Sequence, residues 1–112
     1  MDSQPTSKVL KTGFLKKRSK YLHLWKTRFC ILTNKHLFAF TGIEKDADCT
    51  MTLLLDNCIE TKKAENELGK EFTFSVNTNN LIYYFQAENE KEQNDWVTLI
   101  DNQLNHQIIE KF

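Results

Sequence analysis

Lys16, Lys17, Arg18 and Lys20 crowd into five consecutive positions, and Lys26 and Arg28 follow one residue apart. Ser19, Tyr21 and His23 are interleaved with them. Ammonium and guanidinium groups at this density present many hydrogen-bond donors and positive charge in a small space. Their chemical complement is an anion with several acceptor oxygens, a phosphate above all, which Arg can grip with two parallel bonds and Lys as a point charge. The totals hide this bias. Fifteen basic and fifteen acidic residues cancel, yet residues 1–35 carry a net charge of +8 and residues 36–112 a net charge of −8. Segregation of this size predicts a dipole with one anion-seeking end.

Other chemistries find no support. Ser3, Ser7, Ser19 and Ser75 lack the context of a nucleophile elbow, and neither a phosphate-binding P-loop nor an HExxH motif occurs. His23, His36 and His106 are scattered, and Glu88 and Glu90 sit where a helix start explains them better than acid–base catalysis. Cys30, Cys49 and Cys58 form no CxxC pair and have no His at ligand spacing, so they are read as reduced thiols, with Cys30 packed as a small hydrophobe. The reading is therefore of a non-enzyme with no metal and no cofactor. Apolar runs reach only four residues, or five where Tyr is counted, too short for a span, and the polar start Met1-Asp2-Ser3-Gln4-Pro5 has no signal-peptide core. No Gly follows Met1, and Glu110-Lys111-Phe112 is not a prenylation signal. Any membrane contact is expected to be peripheral.

The elements that must position the cations follow from periodicity. With 112 residues, 40% of them hydrophobic, the chain can bury one core. Residues 1–10 read as a flexible lead-in. Gly13 to Lys17 reads as a strand, Arg18 to Leu24 as a loop, Trp25 to Thr33 and His36 to Phe40 as strands around an Asn34-Lys35 turn. Met51 to Leu55, Ile59 to Thr61, Phe72 to Val76 and Ile82 to Ala87 complete about seven strands, with Lys62 to Lys70 as loop. The period then changes. Trp96, Leu99, Ile100, Gln103, Leu104 and Ile108 mark one face of a helix, with Asn89 as N-cap and Glu92 completing a capping box. Seven short strands hide their edges best in a barrel or strongly bent sandwich, and an amphipathic helix carrying Trp96 can plug one open end. The class is mainly β with one C-terminal helix.

Gly13-Phe14-Leu15-Lys16-Lys17, then Trp25-Lys26-Thr27-Arg28-Phe29-Cys30-Ile31-Leu32, and Trp96 in a terminal helix together resemble the pleckstrin homology (PH) domain. The resemblance covers residues 11–108, leaving 109–112 as a tail, and looks most like the protein kinase B type. It implies a seven-stranded bent antiparallel barrel capped by the helix, with an open end that binds phosphoinositide headgroups. On that pattern Lys17 ends the first strand, and Lys26 and Arg28 form the basic pair of the second. Parity agrees independently: Leu15 and Lys17 share a face, as do Lys26, Arg28, Cys30 and Leu32, so each inward row runs from core into charge. Arg18, Ser19 and Lys20 add charge and backbone donors to the proposed headgroup site. The family's tight binders place a Tyr in the third strand. The matching residue here is Phe40, which removes one donor.

The expected function is a membrane-targeting module for phosphoinositides. The resemblance implies 3-phosphorylated lipids such as phosphatidylinositol 3,4,5-trisphosphate or 3,4-bisphosphate. A monomer in the cytoplasm, recruited reversibly to the plasma membrane or an endosomal membrane, goes with that reading. Tyr21, Leu22 and Leu24 at the loop tip are the expected membrane contacts. The alternative is a protein-binding adaptor with weak or unselective lipid affinity. Nucleic acid is not expected as a partner: the basic cluster is confined to one loop and two strand ends, and the remainder is acidic.

Overall fold

A computed structural model describes residues 7–110, with side chains described through residue 104. Its strands are β1 (Val9–Arg18), β2 (Trp25–Thr33), β3 (His36–Phe40), β4 (Cys49–Leu54), β5 (Cys58–Lys63), β6 (Thr73–Thr78) and β7 (Ile82–Gln86). A 3₁₀ turn (Leu55–Asn57) joins β4 to β5, a short helix α1 (Glu65–Leu68) precedes β6, and the long helix α2 (Glu90–Glu110) closes the chain. All pairings are antiparallel, in the order β4-β3-β2-β1-β7-β6-β5. This is the expected seven-stranded sheet with one C-terminal helix.

The bend lies at β1. That strand pairs with β2 along its length but meets β7 only at Lys16 and Lys17. Its upstream half is left to α2, whose fully buried Trp96 brings its ring to within 3.5 Å of where a Cβ on Gly13 would stand. Lys11 adds an ion pair to Glu92 at 3.1 Å and lies over the Trp96 ring at 5.4 Å. Gln93, also buried, donates from Nε2 to the Thr73 carbonyl at 2.9 Å. Leu15, Cys30, Leu32, Leu37, Phe74, Phe85 and Ile100 fill the interior between sheet and helix. Phe74 and Phe85 stack there with centroids 5.4 Å apart.

Several boundaries differ from the sequence reading. β1 begins at Val9, so the lead-in is shorter than expected, and β5 extends to Lys63. The polar segment before Gly69 folds into α1, four residues too few to show a hydrophobic period. Asn89 caps α2 as expected, its Oδ1 accepting from the Glu92 N–H at 2.9 Å, while the Glu92 carboxylate reaches Lys11. Ile109 and Glu110, read as tail, continue the helix backbone. The side chain of Ile108, residues 111–112 of the tail and residues 1–6 of the lead-in fall outside what the structure describes.

Gly69 ends α1 with φ +62°, its N–H donating to the Glu65 carbonyl at 2.8 Å. An added Cβ would meet nothing within 4 Å, so only the left-handed backbone opposes substitution. Gly69→Ala should therefore cost about 1 kcal/mol, seen as a lower urea midpoint at unchanged slope.

Candidate functional site

The β1–β2 ladder sets Leu15 opposite Arg28 and Lys17 opposite Lys26. Residues directly opposite share a face of the sheet, and buried Leu15 and Cys30 identify that face as the interior. Lys17, Lys26 and Arg28 thus end the inward rows where apolar filling gives out. Like charges so placed repel. Among the described residues none of the three has a carboxylate within ion-pair distance; the pairs present are Lys11–Glu92, Lys62–Glu60 and Lys91–Asp95. Arg28 instead donates from Nη1 to the Thr27 carbonyl at 2.9 Å. Lys17 is half-buried, and burial first, then the Arg28 guanidinium, holds its ammonium below the usual lysine range. Beneath it, burial pushes the Cys30 thiol up to about 12 despite the two cations, which leaves it a protonated spectator.

Beside Lys17 opens a cavity of about 440 Å³, lined by Lys17 to Lys20, by Thr50 to Thr52 of β4, and by Leu81 to Tyr84; Lys26 and Arg28 do not line it. Another cavity of about 380 Å³ lies between Phe14 and Phe72, where Glu71 and Glu88 outnumber Lys16. Within the first loop the predicted residues part company. Lys20 reaches the cavity and also lies over the Tyr21 ring at 5.2 Å. The Arg18 guanidinium lies over the Tyr84 ring at 4.7 Å, and Tyr84 donates its hydroxyl to Glu67 at 2.6 Å. Ser19 is the neck of the loop: its N–H donates to the Leu24 carbonyl at 2.7 Å and its Oγ accepts from the Leu24 N–H at 2.9 Å. Its amide is spent on the loop and is no phosphate donor. His23 takes φ +54°, a left-handed position that His tolerates better than most residues. Above the neck, Tyr21, Leu22 and Leu24 are 82%, 74% and 51% exposed.

Phe40 is not where the sequence reading put it. In β3 the inward residues are Leu37 and Ala39, both fully buried. Phe40 pairs with Phe29, which meets Phe14 edge-on at 5.2 Å, and lies 6.2 Å from Phe38. It belongs to an aromatic row on the outer face of the sheet, and it does not line the cavity. The residues that sequence reasoning missed are Thr50, Thr52 and Tyr83. Alternation in β7 could have found Tyr83, since it shares the inward face of buried Phe85. Its nearness to Lys17 depends on the β1–β7 pairing, for which a single strand carries no signal.

The profile of the PH domain family matches residues 9–105. This chain is a PH domain. Relatives of this domain include Pleckstrin homology domain-containing protein 1 of Arabidopsis thaliana, 26% identical over 84% of this chain and 68% of that protein. Src kinase-associated phosphoprotein 2 of Danio rerio is 33% identical over 88% of the chain but only 31% of its own length. Phosphatidylinositol 4,5-bisphosphate-binding protein SLM2 of Saccharomyces cerevisiae is 31% identical over 89% of the chain and 15% of its own. The chain thus spans under a third of the latter two proteins. Among solved structures, the C-terminal PH domain of pleckstrin in complex with D-myo-Ins(1,2,3,4,5)P5 superposes with a TM-score of 0.69, at 25% identity over 85% of this chain and 97% of that one. The Slm1 PH domain in complex with inositol 4-phosphate gives 0.70 at 21% identity, over 90% and 99%. The family is one of non-catalytic binding modules. These matches do not support the narrower likeness to the protein kinase B type.

Two consequences of the geometry can be measured. Because the folded domain depresses the Lys17 pKa, the unfolded chain binds more protons between that depressed value and 10.5. Lys17 by itself should therefore contribute a gain in stability as pH rises through this window, set against the opposite contribution of the Cys30 and Cys58 thiols, whose pKa values burial raises. Lys17→Met should raise the melting temperature of the free domain by a few degrees and abolish that gain, by scanning calorimetry. Phe40→Tyr should leave inositol phosphate affinity within about twofold by titration calorimetry, since a lone hydroxyl on the outer face makes no new ligand bond.

Proposed function

We propose that this PH domain binds phosphoinositide headgroups at the open end of its barrel and so holds its parent protein at membranes. One observation carries the reading: Lys17, Lys26 and Arg28 converge at the mouth of an apolar interior without a carboxylate to neutralise them. Cations left in this state are costly unless an anion joins them. A phosphorylated inositol ring supplies closely spaced acceptors for all three. With each charge-assisted bond contributing roughly 1.5–3 kcal/mol, three residues account for micromolar binding after association costs. The inositol phosphate complexes of the pleckstrin and Slm1 domains, and the lipid named for SLM2, support the class of ligand.

Preference for a 3-phosphorylated ring is the narrower form of the proposal. It rests on the Lys17 and Lys26-x-Arg28 pattern alone, and the Slm1 complex with a 4-phosphate makes the position of the phosphate an open comparison. Membrane engagement adds the loop tip. Leu22 and Leu24 stand exposed beside Lys20 at the cationic end, where a bilayer would cover them and meet the cations with anionic headgroups. No helix among the described residues is long and apolar enough to cross a membrane. Recruitment from the cytoplasm to the inner face of the plasma membrane or an endosome follows from where such lipids are displayed. The protein-adaptor reading has its own observation, namely Phe14, 54% exposed at the rim of the acidic cavity.

Arg28→Ala should abolish binding to vesicles containing phosphoinositide while the melting transition survives. Full retention of vesicle binding by a folded variant would overturn the proposed headgroup site, whereas weak binding by the unaltered domain would favour the adaptor reading. Replacing Leu22 and Leu24 together by Ser should weaken vesicle binding about tenfold and leave titration with soluble inositol phosphate unchanged, because two buried apolar side chains contribute only at a bilayer. Equal losses in both assays would place the leucines in the scaffold.

A further inference from the structure

Tyr83 and Tyr84 are adjacent but treated oppositely. The Tyr84 hydroxyl is spent on Glu67 at 2.6 Å. The Tyr83 hydroxyl has no protein partner among the described residues, although its ring faces inward, opposite buried Val76 and two residues from buried Phe85. The Lys17 ammonium lies over that ring, 5.6 Å from its centroid. Lys17 in turn pairs with Lys26 on its β2 side and with Phe85 on its β7 side. It therefore stands between the other two cations and Tyr83.

The mouth does not stop at Tyr83. Thr52, Leu81 and Tyr83 line both the 440 Å³ cavity and an adjoining one of about 450 Å³, to which His36, Asn57 and Asn80 contribute. One side of the mouth is thus cationic, and the other is neutral and rich in hydrogen-bonding groups, with a free phenol at the junction.

We propose that Tyr83 contacts the ligand, its hydroxyl donating to a ring phosphate on the β7 side of Lys17. The inference rests on the headgroup reading above and divides the site. Lys26 and Arg28 hold one phosphate, Tyr83 helps to hold its neighbour, and Lys17 bridges the two. A phenol in this place supplies the neutral donor that Phe40, turned outward, cannot. The consequence is selectivity: a headgroup with adjacent ring phosphates engages both sides, whereas a single ring phosphate settles on the cationic side alone.

Tyr83→Phe removes the hydroxyl and keeps the ring under Lys17. Calorimetric titration with inositol 1,3,4,5-tetrakisphosphate should show roughly a tenfold to hundredfold loss of affinity, about the worth of one hydrogen bond to a charged acceptor. Titration with inositol 4-phosphate should change less than twofold, and the melting temperature should hold, since no protein hydrogen bond is lost. Unchanged tetrakisphosphate affinity would overturn the assignment, and so would an equal loss for both ligands. Lys17→Ala separates this inference from the one beneath it. If that variant loses both ligands while Tyr83→Phe loses neither, only the role of Tyr83 fails; if Lys17→Ala binds both as before, the headgroup site itself fails.

Discussion

The register between β1 and β2 is the constraint on which the mouth depends. From Lys11 to Arg18 the two strands pair without a slip, and the one irregularity lies at the far end, between Val9 and Lys11. A shift of one residue would turn Leu15 and Cys30 to solvent and carry the cations to the outer face. Core packing and cation placement are therefore one decision. The apolar members of each row fix the pairing, and Lys17, Lys26 and Arg28 are carried inward with them, repulsion included.

Two lysines on β1 show what the repulsion means. Lys11 and Lys17 both lie over an aromatic ring, at 5.4 Å from Trp96 and 5.6 Å from Tyr83. Lys11 also meets Glu92 of α2, so the plugged end of the barrel neutralises its own cation. At the other end Lys17 faces Arg28 and Lys26, and among the described residues no carboxylate pairs with any of the three. Helix and ligand are in this sense alternative ways to finish a barrel end. The helical end contributes stability through buried Trp96, Ile100 and Leu104, while the open end gives some of it up for an unsatisfied charge that an anion can satisfy.

How legible this was in the sequence depends on the distance over which each feature is decided. β2 and β3 could be bounded correctly because alternation and flanking turns are local signals. Lys17, Lys26 and Arg28 were accessible for the same reason: parity with Leu15 and Cys30 is countable along one strand. Phe40 was misplaced because a family position was preferred to the alternation of Leu37 and Ala39, which already points it outward. Val9 and Leu10 looked like lead-in because their partners, β2 and the helix side of the sheet, lie far away in the chain. α1 is polar and four residues long, below any periodic signal. Tyr83 was hidden most deeply, since only the sheet order β1-β7 sets it beside Lys17.

The acidic half of the chain completes the electrostatics. β7 enters at Ile82, beside the mouth, and runs away from it, so Glu88, Glu90 and Glu92 gather at the start of α2 on the far side. There they suit the positive end of the helix dipole and, through Glu92, the ion pair with Lys11. Part of the sequence bias thus becomes a separation in space: Lys17, Lys20, Lys26 and Arg28 stand at the mouth and loop, and Glu88, Glu90 and Glu92 at the helix start, while Lys11 sits among those carboxylates and Glu67 reaches the mouth through Tyr84. An anionic surface would pull the first and push the second, turning the barrel mouth-first before any specific bond forms. That torque is screened within about 8 Å at physiological salt, whereas bonds to a bound phosphate persist. On the proposed headgroup reading, orientation and recognition would come from the same residues but act over different distances, and a neutral total charge is compatible with both.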